Sequence, residues 1–241
     1  KEKVAMADMF TQVEKIKRYG FTNAELERAK TELLASIERS YNERTTRQNQ
    51  SYAQEYYRNY LDAEPIPGIE YEYEYLKAVL PQLPVALVNQ LAQQYITDNN
   101  VVISYLGKEN SDVVSVPTQE EVLNMFNSVK TAEIEAPVEE TFDRPLVETA
   151  PTAGTIVKEK FNKKLGTTEW TLSNGIKVVI KPTDFKNDQI IMSMESEGGL
   201  SKVALEDLPS AGLADGVISY NGIGEFSVLD LQKVLTGKNV S

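Results

Sequence analysis

Trp170 to Pro182, WTLSNGIKVVIKP, is the stretch on which the fold turns. Two apolar runs flank Asn174-Gly175, a dipeptide suited to a type I′ hairpin because both central residues of that turn need positive φ. Beyond it Ile176, Val178 and Ile180 alternate with Lys177, Val179 and Lys181, so the strand has one strongly apolar face. After the break TDFKND a second strand is expected over Gln189 to Glu195, closed by Gly198-Gly199. Antiparallel neighbours follow from such a hairpin. The sheet pattern starts late, about two-thirds of the way along.

Upstream the periodicity is helical. Met6, Met9, Phe10, Val13 and Ile16 fall on one face, and Gly20 stands where a helix C′ residue belongs. Thr22 and Glu25 form a capping box for a second helix, with Phe21 and Leu26 at the staple positions. Its stripe runs through Leu26, Ala29, Leu33, Ile37 and Tyr41, and the polar run Asn42 to Ser51 predicts a break. Pro65, Pro67 and Gly68 end that region. Ile69 to Leu80 alternates like a strand at its tyrosines and like a helix at its end; helix is the expectation, leaning on the resemblance described below. Pro84 is placed at N1 of a helix with Val85, Val88, Leu91, Ala92 and Tyr95 as its stripe. A short strand is expected over Val101 to Gly107, with the first unit closing near Asp112.

Pro117 to Val129 reads as an amphipathic helix capped by Thr118 and Glu121. Thr131 to Pro151 carries six acids, one Arg and three prolines without sustained period, which is linker composition. A strand over Gly154 to Lys164 leads into the hairpin. Then come a helix around Ser210 to Tyr220, a loop at Asn221-Gly222-Ile223-Gly224, and a helix from Val228 to Leu235 capped by Ser227 with Asp230 at N3.

Two of these segments carry a resemblance. LSNGIKVVI, the strand before Gly198-Gly199, and the following SAGLAD resemble the opening of a domain in the pitrilysin/insulinase family of zinc metallopeptidases. GFTNAELERAKTELL, Gly20 to Leu34, is similar to a helix start late in that family's second domain. Both stand in the family's order. The implied fold is α+β: two partial metallopeptidase-like domains, with helices packed on mostly antiparallel sheet, joined by an extended acidic linker. Residues 1–112 correspond to the end of the second domain. Residues 113–153 correspond to a short helix and interhalf linker, and 154–241 to the start of a third, non-catalytic domain. The chain thus reads as an internal fragment, and Lys1 in place of an initiator Met agrees with that.

Composition limits the chemistry. At 241 residues the chain can hold one large domain or two small ones, each with a core. A net charge of −11 argues against nucleic acid and anionic membrane surfaces, and no apolar run is long enough to span a bilayer. The chain has no Cys and no His. That removes disulfides, thiol nucleophiles and the commonest zinc ligand, leaving carboxylates for hard metals. Active family members carry His-x-x-Glu-His on a helix after the paired glycines. Laid on Gly212-Leu213-Ala214, those positions fall on Asp215, Ile218 and Ser219, none of which matches. No catalytic, metal-binding or cofactor-binding residue is therefore assigned in this chain, and zinc is expected only in the parent protein.

Other features have plainer explanations. Gly222-x-Gly224 lacks the third glycine and preceding strand of a phosphate-binding turn. The dense tyrosines Tyr52, Tyr56, Tyr57, Tyr60, Tyr71, Tyr73 and Tyr75 could line a peptide chamber, but helix packing with hydroxyls at the surface is the commoner use. Lys158, Lys160, Lys163 and Lys164 read as a solvated face, and Glu70, Glu72, Glu74 and the linker acids as solubilising charge without EF-hand spacing. By resemblance, the function is the non-catalytic central part of a zinc metalloendopeptidase, supplying chamber wall and hinge. A catalytically silent homologue serving as an assembly or peptide-binding subunit is the alternative. Expected partners are a peptide or protein substrate of the parent, its first and fourth domains, and a second copy of this chain through open sheet edges. The compartment is left open, export to the periplasm or cell surface included.

Overall fold

The computed structural model describes residues 2–106, 116–138, 142, 144–186 and 189–238, without the side chain of Ser219. The chain is α+β. Its helices are α1 (Glu2–Tyr19), α2 (Asn23–Asn42), α3 (Asn49–Asp62), α4 (Ile69–Val79), α5 (Val85–Tyr95), α6 (Gln119–Val129), α7 (Leu208–Ala211), α8 (Ala214–Tyr220) and α9 (Val228–Val234). Strands β1 (Ile156–Asn162), β2 (Thr167–Leu172) and β3 (Lys177–Ile180) form one antiparallel sheet in the order β1-β2-β3. Backbone contacts divide the chain into two units. One comprises residues 1–31 and 76–141, the other 32–75 and 142–241, so α2 and α4 each run from one unit into the other.

The first unit is built on α1 and α6. Met6, Phe10, Val129 and Ile134 are buried together, with Ile103, Tyr105, Val122, Met125 and Phe126 packed around them. Phe10 meets Phe126 edge-on at 5.4 Å and 79°, the geometry that puts a positive ring edge on a negative face. α6 starts on the capping box expected from Thr118 and Glu121. At its other end Arg18 donates to the carbonyls of Val129, Lys130 and Ala132. Gly20 ends α1 with φ +72°, and the Thr22–Glu25 box starts α2. Between them the Asn89 amide of α5 clamps the backbone of Phe21: its Oδ1 accepts from Phe21 N–H at 2.7 Å and its Nδ2 donates to Phe21 C=O at 3.1 Å. A Cβ at position 20 would stand 2.5 Å from that amide, so glycine is needed there for space as well as for φ.

In the second unit Tyr41 and Tyr73 stack at 4.7 Å, with the Arg44 guanidinium 4.2 Å over Tyr41 and 3.5 Å from Glu70. The stack pins α4 as a helix, the reading preferred for Ile69 to Leu80. In the hairpin Thr168 pairs with Ile180 and Trp170 with Val178, which leaves Val178 and Ile180 half-buried and Lys177 and Val179 exposed, as the alternation requires. Ser227 and Asp230 cap α9, and Phe226 beside it is the most buried of the core side chains. At several described positions the acidic connection makes side-chain contacts. Ile134 lies in the first unit's core, while in the second unit Phe142 sits 6.2 Å from Phe226 and Arg144 bonds the Glu225 carbonyl.

Five local expectations are corrected. Asn174 keeps negative φ and only Gly175 is positive, at +86°. Gly175 N–H donates to Leu172 C=O and Leu172 N–H to Ile176 C=O, so the hairpin closes on a three-residue loop with a glycine bulge and not on a type I′ turn. Gln189 to Glu195 belongs to no strand, because nothing among the described residues pairs with it. Val101 to Leu106 is likewise unladdered, and Gly107 and Asp112 lie outside the described residues. The helix expected around Ser210 to Tyr220 is two short ones, parted at Gly212-Leu213. Pro84 is the N-cap of α5 and not its first helical residue.

Asn89→Ala removes both bonds of the Phe21 clamp and leaves a half-buried N–H and C=O unpaired. A loss of about 1 to 3 kcal/mol is expected by chemical denaturation. Asn89→Asp, which can accept from Phe21 N–H but cannot donate, is expected between the two. Equal stability of all three proteins would show that the clamp carries no weight.

Candidate functional site

Gly198, at φ +121°, and Gly199, at +54°, precede a 3-10 turn over Gly199–Lys202, and α7 and α8 follow. The segment aligned with the metallopeptidase helix is therefore α8, two turns long. Asp215 and Ile218 sit on it exposed to solvent. Catalytic zinc needs three converging nitrogen, sulfur or carboxylate ligands and an open position for water. α8 supplies one carboxylate, the chain has no His or Cys, and no group of three metal-ligating side chains is placed together among the described residues. Zinc does not fit this helix.

The remaining candidates have structural uses. Ile223 N–H bonds Phe226 C=O and Phe226 N–H bonds Ile223 C=O, closing a two-residue turn with Gly224 at φ +58°. A Cβ on Gly222 would come 1.5 Å from the Phe226 carbonyl oxygen, so this glycine permits a chain crossing rather than a phosphate. Of the tyrosines, Tyr73 packs on Tyr41 and Tyr52 lies under Arg47 at 4.4 Å, whereas Tyr56, Tyr57 and Tyr60 are exposed along α3. Tyr71 and Tyr75 stack on each other at 5.9 Å while both stay exposed. Lys158, Lys160, Lys163 and Lys164 are solvated.

The structure adds cavities that periodicity gave no sign of. In the second unit a polar hollow of about 480 Å³ lies between the end of α2, α3, the start of α4 and Phe185-Lys186. Its cations are internally matched: Arg47 to Glu55 at 2.8 Å, Arg58 to Glu64 at 2.8 Å, Lys186 to Glu43 at 3.2 Å. Glu72 also stands in the wall, so the lining carries four carboxylates against three cations. In the first unit a mostly apolar cleft of about 310 Å³ is walled by Met9, Phe10 and Val13 of α1, Phe126 and Val129 of α6, and residues 101–104. At its rim one carboxylate, Asp98, serves two ammoniums, Lys17 at 2.8 Å and Lys130 at 3.5 Å. The Lys17 hydrogen bond, with the nearby Lys130 charge, holds the Asp98 carboxyl below its ordinary value. Asp98 falls in a turn-forming run, TDNN, so sequence gave it no more than a loop role.

The helices and the one antiparallel sheet define an α+β protein. By sequence kinship the chain belongs to the pitrilysin/insulinase-type zinc metallopeptidases. Its curated relative is a zinc protease PQQL-like protein of Arabidopsis thaliana, 31% identical over 212 residues, covering 88% of this chain and 22% of that protein. Among solved structures it is similar to the periplasmic protease PqqL of Escherichia coli, with a TM-score of 0.48, 18% identity, and coverage of 96% of this chain and 25% of that one. A mutant of the ferredoxin protease FusC, solved in complex with Arabidopsis ferredoxin, gives a TM-score of 0.35 and 17% identity over 73% of this chain and 20% of that one. No protein-family model matches the chain. The chain thus spans about a quarter or less of the length of the relatives it matches.

Asp98 titrates below its unfolded value, so its contribution to stability is complete above about pH 3.8 and is lost as pH falls through the lowered folded value. Asp98→Asn is expected to lower the melting temperature at pH 7 and to make no difference once the pH lies below that value. A gap that persists undiminished at acid pH would mean that the charge on Asp98 is not what holds Lys17 and Lys130.

Proposed function

We propose that this chain is the non-catalytic central part of a zinc metalloendopeptidase of the pitrilysin/insulinase type. Residues 1–112 close its second domain, 113–153 form a short helix and the connection between halves, and 154–241 open its third domain. The observation that supports this is the reach of the sequence match. At 212 aligned residues it cannot be confined to either side of the acidic connection, so both sides share one ancestry with a zinc protease. In this reading the zinc ligands and the water-activating glutamate lie elsewhere in the parent protein, and this segment contributes wall and hinge to a chamber that encloses a peptide or protein substrate. The open edges of β1 and β3 would meet the parent's remaining domains, or a second copy of the chain when it is alone. Across the described residues no helix is long and apolar enough to cross a membrane.

Two preparations test the reading: the 241-residue chain, and the longer protein from which it comes. Zinc titration by calorimetry and cleavage of a fluorogenic peptide are measured on both. The expected result is stoichiometric zinc and chelator-sensitive cleavage for the longer protein and neither for the chain. Zinc-dependent cleavage by the chain itself would overturn the non-catalytic assignment, and a longer protein without zinc or cleavage would overturn the peptidase assignment.

A further inference from the structure

The polar hollow of the second unit carries one charge that its own walls leave unanswered. Glu43, Glu55 and Glu64 hold Lys186, Arg47 and Arg58 respectively. Glu72, the fourth carboxylate of the wall, is half-buried, and its side chain has no hydrogen-bond or ion-pair partner among the described residues. A carboxylate in that state loses part of its hydration without a compensating contact. Four carboxylates against three cations leave one negative charge in excess, at a point where an arriving cation would be stabilised.

The chemistry of the wall narrows the cation. Ca²⁺ takes roughly six to eight oxygen ligands, whereas three of the four carboxylates here are already engaged by arginine or lysine. An organic cation needs one carboxylate and a few neutral acceptors, and the Gln48 amide and Ser51 hydroxyl stand in the same wall. Ile37 and Ile69, both half-buried, offer apolar surface to a short stem. Phe185 adds a ring on which a planar guanidinium stacks better than a compact, strongly hydrated ammonium. A guanidinium also meets a carboxylate through two parallel hydrogen bonds, which an ammonium does not. At about 480 Å³ the hollow has room for such a head and stem.

We propose that this hollow binds a small organic monocation, a guanidinium on a short alkyl stem, with Glu72 as its carboxylate partner. The proposal goes beyond the peptidase reading and does not rest on it, since every residue it uses belongs to the second unit. The cleft of the first unit offers no such site, because Lys17 and Lys130 there balance Glu14 and Asp98.

The probe is n-butylguanidinium, titrated into the isotope-labelled 241-residue chain and followed by amide shifts in NMR spectra. Saturable shifts are expected around Gln48, Ser51 and Glu72. Glu72→Gln keeps the side chain's shape, removes its charge, and should weaken binding about tenfold. Arg58→Gln frees Glu64, raises the excess negative charge of the hollow, and should tighten binding several-fold. Both members of that pair are half exposed, so the fold tolerates the change, and unchanged spectra away from the hollow verify that each variant is folded. n-Butylammonium should bind several-fold more weakly than the guanidinium. No saturation at high millimolar probe, equal binding of the ammonium, undiminished binding by Glu72→Gln, or binding by Arg58→Gln that fails to tighten would each overturn the proposal. So would tighter binding of acetyl-glycyl-arginyl-glycine amide than of butylguanidinium, which would put the head group on a polypeptide. The titration needs no zinc and no hydrolysis, so a longer protein that fails to cleave leaves this result standing, and a failed titration leaves cleavage untouched.

Discussion

Arg18 holds the first unit in register where hydrophobic burial is thin. Four buried side chains make its central cluster, too few to fix how α1 crosses α6 by packing alone. The guanidinium supplies what packing lacks. Two of its nitrogens donate to the carbonyls of Val129 and Lys130 at the end of α6 and of Ala132 just beyond it. Its charge also lies at the negative end of the α6 dipole. Glu14 one turn earlier aligns the fork by accepting from Nε at 2.8 Å. Because Glu14 and Lys17 sit on the same turns of α1, the contact that fixes the helices also places the cleft and its rim.

The local devices were legible in sequence and the long-range ones were not. Thr118 with Glu121 and Ser227 with Asp230 form the capping boxes their spacing announces, and Thr22 with Glu25 makes the same reciprocal bonds, because such a cap needs only four consecutive residues. The alternation of β3 survives for the same reason. At Asn174-Gly175 the dipeptide located the hairpin but misplaced its turn by one residue, since Ser173-Asn174 serve as the turn and Gly175 as the bulge. Gln189 to Glu195 and Val101 to Leu106 show the limit most clearly. Burial alternates at Ile103 and Tyr105 only, while Gln189 to Glu195 is exposed throughout, and a strand is a relation between two segments of which sequence describes only one. The Asn89 clamp and the Arg18 clamp span 68 and more than 100 residues in sequence, and no pattern within either helix foretells them.

The two cavities show why composition alone does not assign a site. Both are lined by charged residues of an acidic chain, and the larger one contains more of them. In it, every arginine and lysine named already has its own carboxylate within salt-bridge distance. Such pairs, partly exposed, contribute little to stability and present little field to a ligand. The smaller cleft has fewer charges, Lys17 and Lys130 against Glu14 and Asp98, and they balance. Electrostatic recognition follows a net imbalance, not the count.

The same reasoning applies to α8. Hydrolysis at zinc requires ligands deprotonated at neutral pH and converging on one point, and α8 offers Asp215 beside an exposed isoleucine. A single carboxylate is a hard ligand, better matched to Mg²⁺ or Ca²⁺ than to Zn²⁺, so α8 by itself does not assemble a zinc site.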